Sequence, residues 1–279
     1  MPADHRDVHD DREGDLPSTF RQAVRTEFGR TFSAPYEIPV VVAVNGALMS
    51  SAWFFLPASL KDDVFSLHGS LVFAGVLASW MYSDVPATNV LGPDSVRVRR
   101  ALGDPVLFRR LLAAKNVVLW VLITPLCCFV ALLIGVANDN LLSTLITVVW
   151  IGIVPFGALG ISNLVGIRFP YHPMPLRFRW EHRRPVARMI VRWLALAVTP
   201  YVVFPVITAV LMAPTLILWG LLTPTGLSKN LHVTDFGWGV GVACVLAVAG
   251  WWGGHHAGYV LARRRSEWLD AFLADPARA

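Results

Sequence analysis

The stretch whose reading decides the fold runs from Asp84 to Lys115, DVPATNVLGPDSVRVRRALGDPVLFRRLLAAK. It lies between two long apolar runs and carries six basic residues: Arg97, Arg99, Arg100, Arg109, Arg110 and Lys115. The pattern predicts two short helices broken at Gly103-Asp104-Pro105. Asp94 or Ser95 suits the cap of the first, and Val98, Ala101 and Leu102 share one face at helical spacing. Gly103 suits the left-handed residue that closes a helix. Asp104 suits the cap of the next helix, with Pro105 at its first position, where a missing N–H costs nothing. A short capped amphipathic helix held under a membrane is a docking element, able to take force from a soluble partner and pass it to the flanking spans. The same stretch also reads as a solvated loop whose arginines only set orientation, and the residues alone leave both readings open.

The rest of the chain places this stretch in a membrane protein. Of 279 residues, 55% are hydrophobic and only 15% charged, against about 25% charged in soluble domains. A soluble core cannot absorb that much apolar surface. The net charge of +5 fits basic loops on one side of a membrane and no nucleic-acid partner. Cys127, Cys128 and Cys244 all lie in apolar runs without metal-ligand spacing, as small buried apolar residues do. Residues 1–17 are polar, lack the apolar core of a signal peptide and are expected to be a disordered tail. Residues 18–37 come next as an amphipathic helix: Phe20, Val24, Phe28 and Phe32 recur every four residues among Arg21, Arg25 and Arg30, a pattern suited to the membrane interface.

Six apolar runs are long enough for a ~30 Å hydrocarbon core: roughly 38–60, 66–82, 116–137, 141–167, 189–222 and 236–262. The fold class expected is therefore an all-α polytopic membrane protein whose six-span domain covers 38–262. The fifth run is interrupted by Pro200, Pro205 and Pro214, and residues 211–225 either enter the outer leaflet and turn back or belong to one kinked span and its loop. With the N-terminus inside, the inner segments are 1–37, 83–115, 168–192 and 263–279. These hold 22 of the 24 Lys and Arg residues, leaving only Lys61 and Lys229 outside. That asymmetry is the positive-inside rule in strong form, and it puts both termini, including a C-terminal tail 263–279, in the cytoplasm.

No Asp, Glu, Lys or Arg falls near the middle of a span, which disfavours a proton- or sodium-coupled carrier. Asn45 and Asn163 are expected to hydrogen-bond between helices. His255 and His256 are adjacent, about 100° apart on a helix, and do not form the i, i+4 pair that shares a metal. Neither G-x-S-x-G nor the G-x-x-x-x-G-K-[ST] loop occurs. The chain is thus expected to be no enzyme, with no metal and no ATP site of its own. Gly237, Gly239, Gly241, Gly250, Gly253, Gly254 and Gly258 in the last run fit close helix packing.

Two stretches resemble the membrane (permease) subunits of ABC-2-type ABC transporters, in their bacterial half-transporter form. In the first inner loop these are Asn89, Gly92, Asp94, Leu102, Pro105, Leu111, Leu112 and Lys115. In and after the fourth run they are Gly157, Gly160, Asn163, Leu164, Arg168 and Pro170. The resemblance implies the ABC-2, type V exporter-like architecture in a bacterial inner membrane. It implies an ATP-driven exporter of lipid, polysaccharide, peptide or drug, built from two permease subunits, identical or different, and two copies of a separate ATPase that binds ATP and Mg. A coupling helix in loop 83–115 would dock that ATPase through Asp94, Arg97, Val98, Arg99, Arg100, Ala101, Leu102, Gly103 and Pro105. Val98, Ala101 and Leu102 would form its buried face and the three arginines its rim. Ser70, Phe73, Trp80, Tyr201, Phe204 and Thr208 would line the translocation path. The second inner loop, 168–192, has no equally clear family role; its aromatic and basic mixture suits anionic lipid headgroups, and it reads equally as a plain topogenic loop. A non-transporting membrane assembly or scaffold protein is the alternative.

The charge asymmetry is directly testable. Asp62→Cys, Asn140→Cys and Ser228→Cys are expected to react with an impermeant thiol reagent added outside intact cells, and Ser95→Cys is not. Strong external labelling at position 95 would invert the topology.

Overall fold

The computed structural model describes residues 16–33, 36–55, 57, 69–83, 89–137, 141–170, 186–214, 217 and 233–275. Among them the regular structure is entirely helical: α1 (Phe20–Thr31), α2 (Glu37–Phe55), α3 (Gly69–Tyr82), a 3-10 turn (Gly92–Asp94), α4 (Ser95–Ala101), α5 (Pro105–Ala137), α6 (Leu141–Arg168), α7 (Val186–Leu211), α8 (Val233–Arg264) and α9 (Ser266–Ala274). Helices α2, α3, α5, α6, α7 and α8 fall on the six apolar runs. Three of them hold stretches long and apolar enough to cross a membrane: Pro105–Val136, Thr144–Arg168 and Gly237–Arg264. The stretches Ile38–Leu48 and Val198–Leu211 are apolar but shorter. The chain is an α-helical membrane protein. Residues 1–15 of the expected tail, 84–88 of the first inner loop, 171–185 of the second, the outer connection 61–65 with the span ends beside it, the outer connection 138–140, most of 211–225, and the last outer connection up to residue 232 lie outside the described residues.

The break at Gly103-Asp104-Pro105 is real, but the second helix is not short. Asp104 Oδ1 accepts from the backbone N–H groups of Val106 (2.8 Å) and Leu107 (3.1 Å), so the cap forms with Pro105 as the first residue of α5. From there no glycine or proline interrupts the chain until Pro125, and the helix runs for 33 residues. At 1.5 Å per residue that is about 50 Å, roughly 20 Å more than the hydrocarbon core. The first three turns of α5, with Arg109, Arg110 and Lys115, are therefore a stalk. Gly103 does not take the left-handed conformation, and a Cβ there would meet nothing within 4 Å. Leu102 closes α4 with right-handed geometry, so that turn does not demand glycine.

The bundle is built on α6 and α8. A Cβ on Gly254 would lie 2.3 Å from the Gly160 carbonyl oxygen, one on Gly160 would lie 2.4 Å from Trp251 Cα, and one on Gly157 would lie 2.5 Å from Ala247 Cα. The two backbones touch directly, which small residues permit in a membrane, where apolar side chains gain little by leaving lipid. Around this spine α3, α5 and α7 contribute Leu77, Met81, Ile123, Cys127 and Phe204 to a core shared with Ile151, Val154, Ala158 and Leu159. Tyr82 stacks on Phe204 with ring centroids 5.6 Å apart, and its hydroxyl shares a 2.6 Å hydrogen bond with Thr124. Asn163 departs from the sequence reading: it is buried, and neither amide atom has a hydrogen-bond partner among the described residues.

Gly254→Leu is expected to force α6 and α8 apart, lowering stability by about 1–3 kcal/mol or more, as overpacked cores do. Gly253→Ala faces open space and is expected to be neutral. Thermal unfolding of detergent-purified variants checks the pair, and equal melting of Gly254→Leu and wild type would remove the backbone contact as the basis of packing.

Candidate functional site

The residues with chemistry converge at the basic end of the bundle, where the α5 stalk, α1, α4 and α9 form a compact head. Thr19 caps α1 by accepting from the Gln22 N–H at 3.2 Å. Arg110 on the stalk then holds the start of that helix, donating to the Pro17 and Ser18 carbonyls at 2.8 and 2.6 Å. Phe20, Phe28 and Phe32 stay exposed along α1, so the aromatic stripe is not spent on the head.

Between α1, α4 and α5 lies a buried charge network. Asp94, with a side chain 4% exposed, meets Arg30 at 2.9 Å, Lys115 at 3.7 Å and Arg97 at 3.8 Å. Glu27 completes it, reaching Arg30 and Lys115 at 3.5 Å. The Arg30 contact is an ion pair without the alignment of a hydrogen bond. Asp94 sits at the cap position of α4 but makes no side-chain cap: three cations outcompete a backbone N–H for a carboxylate held away from water. Arg97 is correspondingly buried and is not a rim residue, which corrects the expectation of three rim arginines on the coupling helix.

Val98, Ala101 and Leu102 do form the buried face of α4, and what buries them is this chain. They join Val90, Leu91, the stalk residues Leu107, Phe108, Leu111 and Leu112, Ile167, Ala262, and Leu269, Phe272 and Leu273 of α9 in one apolar cluster. The segment expected as a cytoplasmic tail, 263–279, is thus a packed element up to its described end at Asp275. Its Leu269-x-x-Phe272-Leu273 spacing is an amphipathic signal readable from the sequence. On the rim Arg99 donates to Asp270 from Nε (2.8 Å) and Nη2 (3.4 Å). The hydrogen bond to Arg99 holds the Asp270 carboxyl below its usual range, and the carboxylate in turn raises Arg99. A carboxyl lowered on folding contributes at neutral pH and loses that contribution as the pH falls through the lowered value. Both groups are solvent-exposed, so the pair sets register more than strength.

What α4 leaves open is a different edge: Val96 (40% exposed), Arg99, Arg100 and, at the turn, Gly103, with Pro105 half-buried and Val106 beside it. Of the expected path residues, Trp80 and Tyr201 pair on the surface between α3 and α7, centroids 4.9 Å apart. Phe204 and Thr208, also expected on the path, are buried in the core of the bundle. The side chains of Ser70 and Phe73 lie outside the described residues. His255 is buried, its Nδ1 2.7 Å from the Trp251 carbonyl and its Nε2 3.4 Å from Asn116 Nδ2, while His256 is exposed against Trp252. Among the described residues no three His, Cys, Asp or Glu converge on a metal position. Compared with known protein families, curated proteins and solved structures, the chain gives no significant match.

The network predicts a graded response. Asp94→Ala leaves Arg30, Arg97 and Lys115 crowded around Glu27 as their one remaining carboxylate in the network and is expected to cost about 3–5 kcal/mol, as breaking a buried ion pair does. Asp270→Asn is expected to change melting little. Thermal unfolding in detergent reads both, and a wild-type melting point for Asp94→Ala would show that the network does not hold the head together.

Proposed function

We propose that the chain is the transmembrane permease subunit of an ATP-driven exporter, an all-helical six-span protein of the bacterial inner membrane with both termini cytoplasmic. It pairs with a second permease subunit, and two copies of a separate ATPase bind ATP and Mg. The observation that carries this reading is the mounting of α4. A seven-residue helix projects from the basic end of the bundle, continuous through the Asp104 cap with a stalk that runs into the membrane. It is bolted to α1 by the Asp94 network. A mere topogenic loop needs basic residues and nothing more; it has no need of a buried face, a cap or a buried carboxylate.

The surface offered to the ATPase is the exposed edge, Val96, Arg99, Arg100 and Gly103, and not the face of Val98, Ala101 and Leu102. Trp80 and Tyr201 remain as candidates for the path, facing outward between α3 and α7. Substrate selection by lipid, polysaccharide, peptide or drug chemistry belongs to surfaces between subunits. A second reading, a membrane scaffold without transport, draws on the same head, because the most apolar face of α4 is already filled from within.

The experiment is purification of the tagged chain from its native membrane with variants on the two faces. A P-loop ATPase is expected to co-purify with wild type, to be lost with Val96→Asp together with Arg100→Glu, and to be the sole source of ATP hydrolysis. Leu102→Asp is expected to lower the amount of folded permease first, a charge in an apolar contact costing several kcal/mol. No ATPase with wild type, at normal membrane levels, favours the scaffold. Hydrolysis by the chain alone sinks the exporter reading.

A further inference from the structure

The C-terminal helix α9 has no counterpart in the reading of the chain as spans and loops, yet it covers the most apolar face of the docking element. It follows α8 after a single residue, Arg265, and that residue leaves no slack. Its guanidinium donates to the carbonyls of Ile167 (3.1 Å) and Arg168 (2.8 Å), the open end of α6, and lies 4.1 Å over the Trp268 ring. The joint between α8 and α9 is thereby fastened to α6 on one side and to α9 on the other. Cationic side chains suit the carbonyl end of a helix, so the fastening is favourable in its own right.

Beyond the joint, Leu269, Phe272 and Leu273 are buried with Val98, Ala101 and Leu102, and the same cluster continues into Leu107, Phe108, Leu111 and Leu112 of the stalk. This is an interior and not a patch resting on a surface. The Arg99–Asp270 pair closes its exposed rim. The outward residues of α9, Glu267, Trp268, Asp270, Ala271 and Ala274, are exposed or half-buried, and the α4 edge of Val96, Arg99 and Arg100 stands open beside them.

We propose that α9 is a permanent second arm of the docking element, tying the last membrane helix to α4. A push on α4 then reaches α8 through packed side chains, in addition to reaching α3 and α5 through the backbone. A partner that touches the open edge of α4 touches the outer face of α9 as well. The source of the push rests on the exporter reading; the arm itself does not.

The test uses the full chain in permeabilised native membranes. Val98→Cys is expected to react with a maleimide at least tenfold more slowly than the exposed control Val96→Cys. Adding Leu269→Asp to Val98→Cys is expected to bring the two rates together. Equal rates without that change would overturn the arm. Because Leu269→Asp can unfold the head, a second measurement stands beside it. Arg99→Cys with Asp270→Cys, and a protease site inserted between Pro170 and Val186, is treated with a short bis-thiol cross-linker. The two fragments are expected to stay joined after cleavage, and separated fragments would overturn the arm. In whatever complex the double variant forms, closing the link is expected to leave its rate of ATP hydrolysis equal to that of the same double variant unlinked. Loss of hydrolysis on linking, where the unlinked double variant is active, would make α9 a lid that must leave, against a permanent arm. Should no ATPase co-purify with any sample, the exporter reading fails while the labelling and linking results still decide the arm.

Discussion

One carboxylate holds together elements that the chain delivers from three separate places. Asp94 is almost fully withdrawn from water, and its charge is compensated only because Arg30 arrives from α1, Arg97 from α4 and Lys115 from α5. A buried charge is costly unless it is paired, and removing one partner leaves the others uncompensated. The elements of the head are therefore interdependent: α1 cannot lift away without unpairing Asp94, and α4 cannot rotate without withdrawing it. Glu27 adds a second anchor from α1 to Lys115 on α5 and braces Arg30 within α1, so the helix whose phenylalanines face outward is tied to the head by its acidic and basic side.

The head needs a floor, and the bundle supplies it through length. Helices α5 and α8, of 33 and 32 residues, are each about 50 Å long, well beyond a hydrocarbon core of ~30 Å. Their excess emerges at the basic end, where Leu107, Phe108, Leu111 and Leu112 on one and Ala262 on the other line the same cluster. The direct backbone contact of α6 with α8 at Gly160 and Gly254 fixes how far apart these stems stand. Arg265 then turns the chain back over the end of α6 and brings α9 onto α4. Membrane packing and head packing are one continuous construction, which is why a short amphipathic helix can stand outside the membrane with a definite orientation.

Several features of this arrangement were legible in the residues. The helix positions follow from apolar runs, and the Asp104-Pro105 start of α5 follows from a cap whose donor and acceptor lie within three residues of each other. The buried face of α4 follows from Val98, Ala101 and Leu102 at helical spacing. Other features were not legible. Asp94 and Asp104 look alike as candidate caps, and only the presence of Arg30, far earlier in the chain, turns one of them into the centre of an ion network. Gly103 follows a helix as a left-handed residue would, but the turn stays right-handed. Residues 263–279 read as a tail because they follow the last apolar run and open on three arginines, and that charge draws attention from the leucine and phenylalanine spacing after it.

By itself the sequence determined that the protein is helical and membrane-borne, roughly where its apolar helices lie, and which end carries positive charge. These follow from local composition, since a backbone in lipid must satisfy its own hydrogen bonds and a charged residue must stay near water wherever the rest of the chain goes. Only the tertiary structure decided that α9 covers α4, that Arg97 is inside while Arg99 is at the rim, and that Phe204 and Thr208 face the core. Each of these is a choice among several apolar or charged partners of similar chemistry. The choice is made by which surfaces the α6–α8 contact and the projecting stems bring within reach, a distance in space that no spacing along the chain encodes.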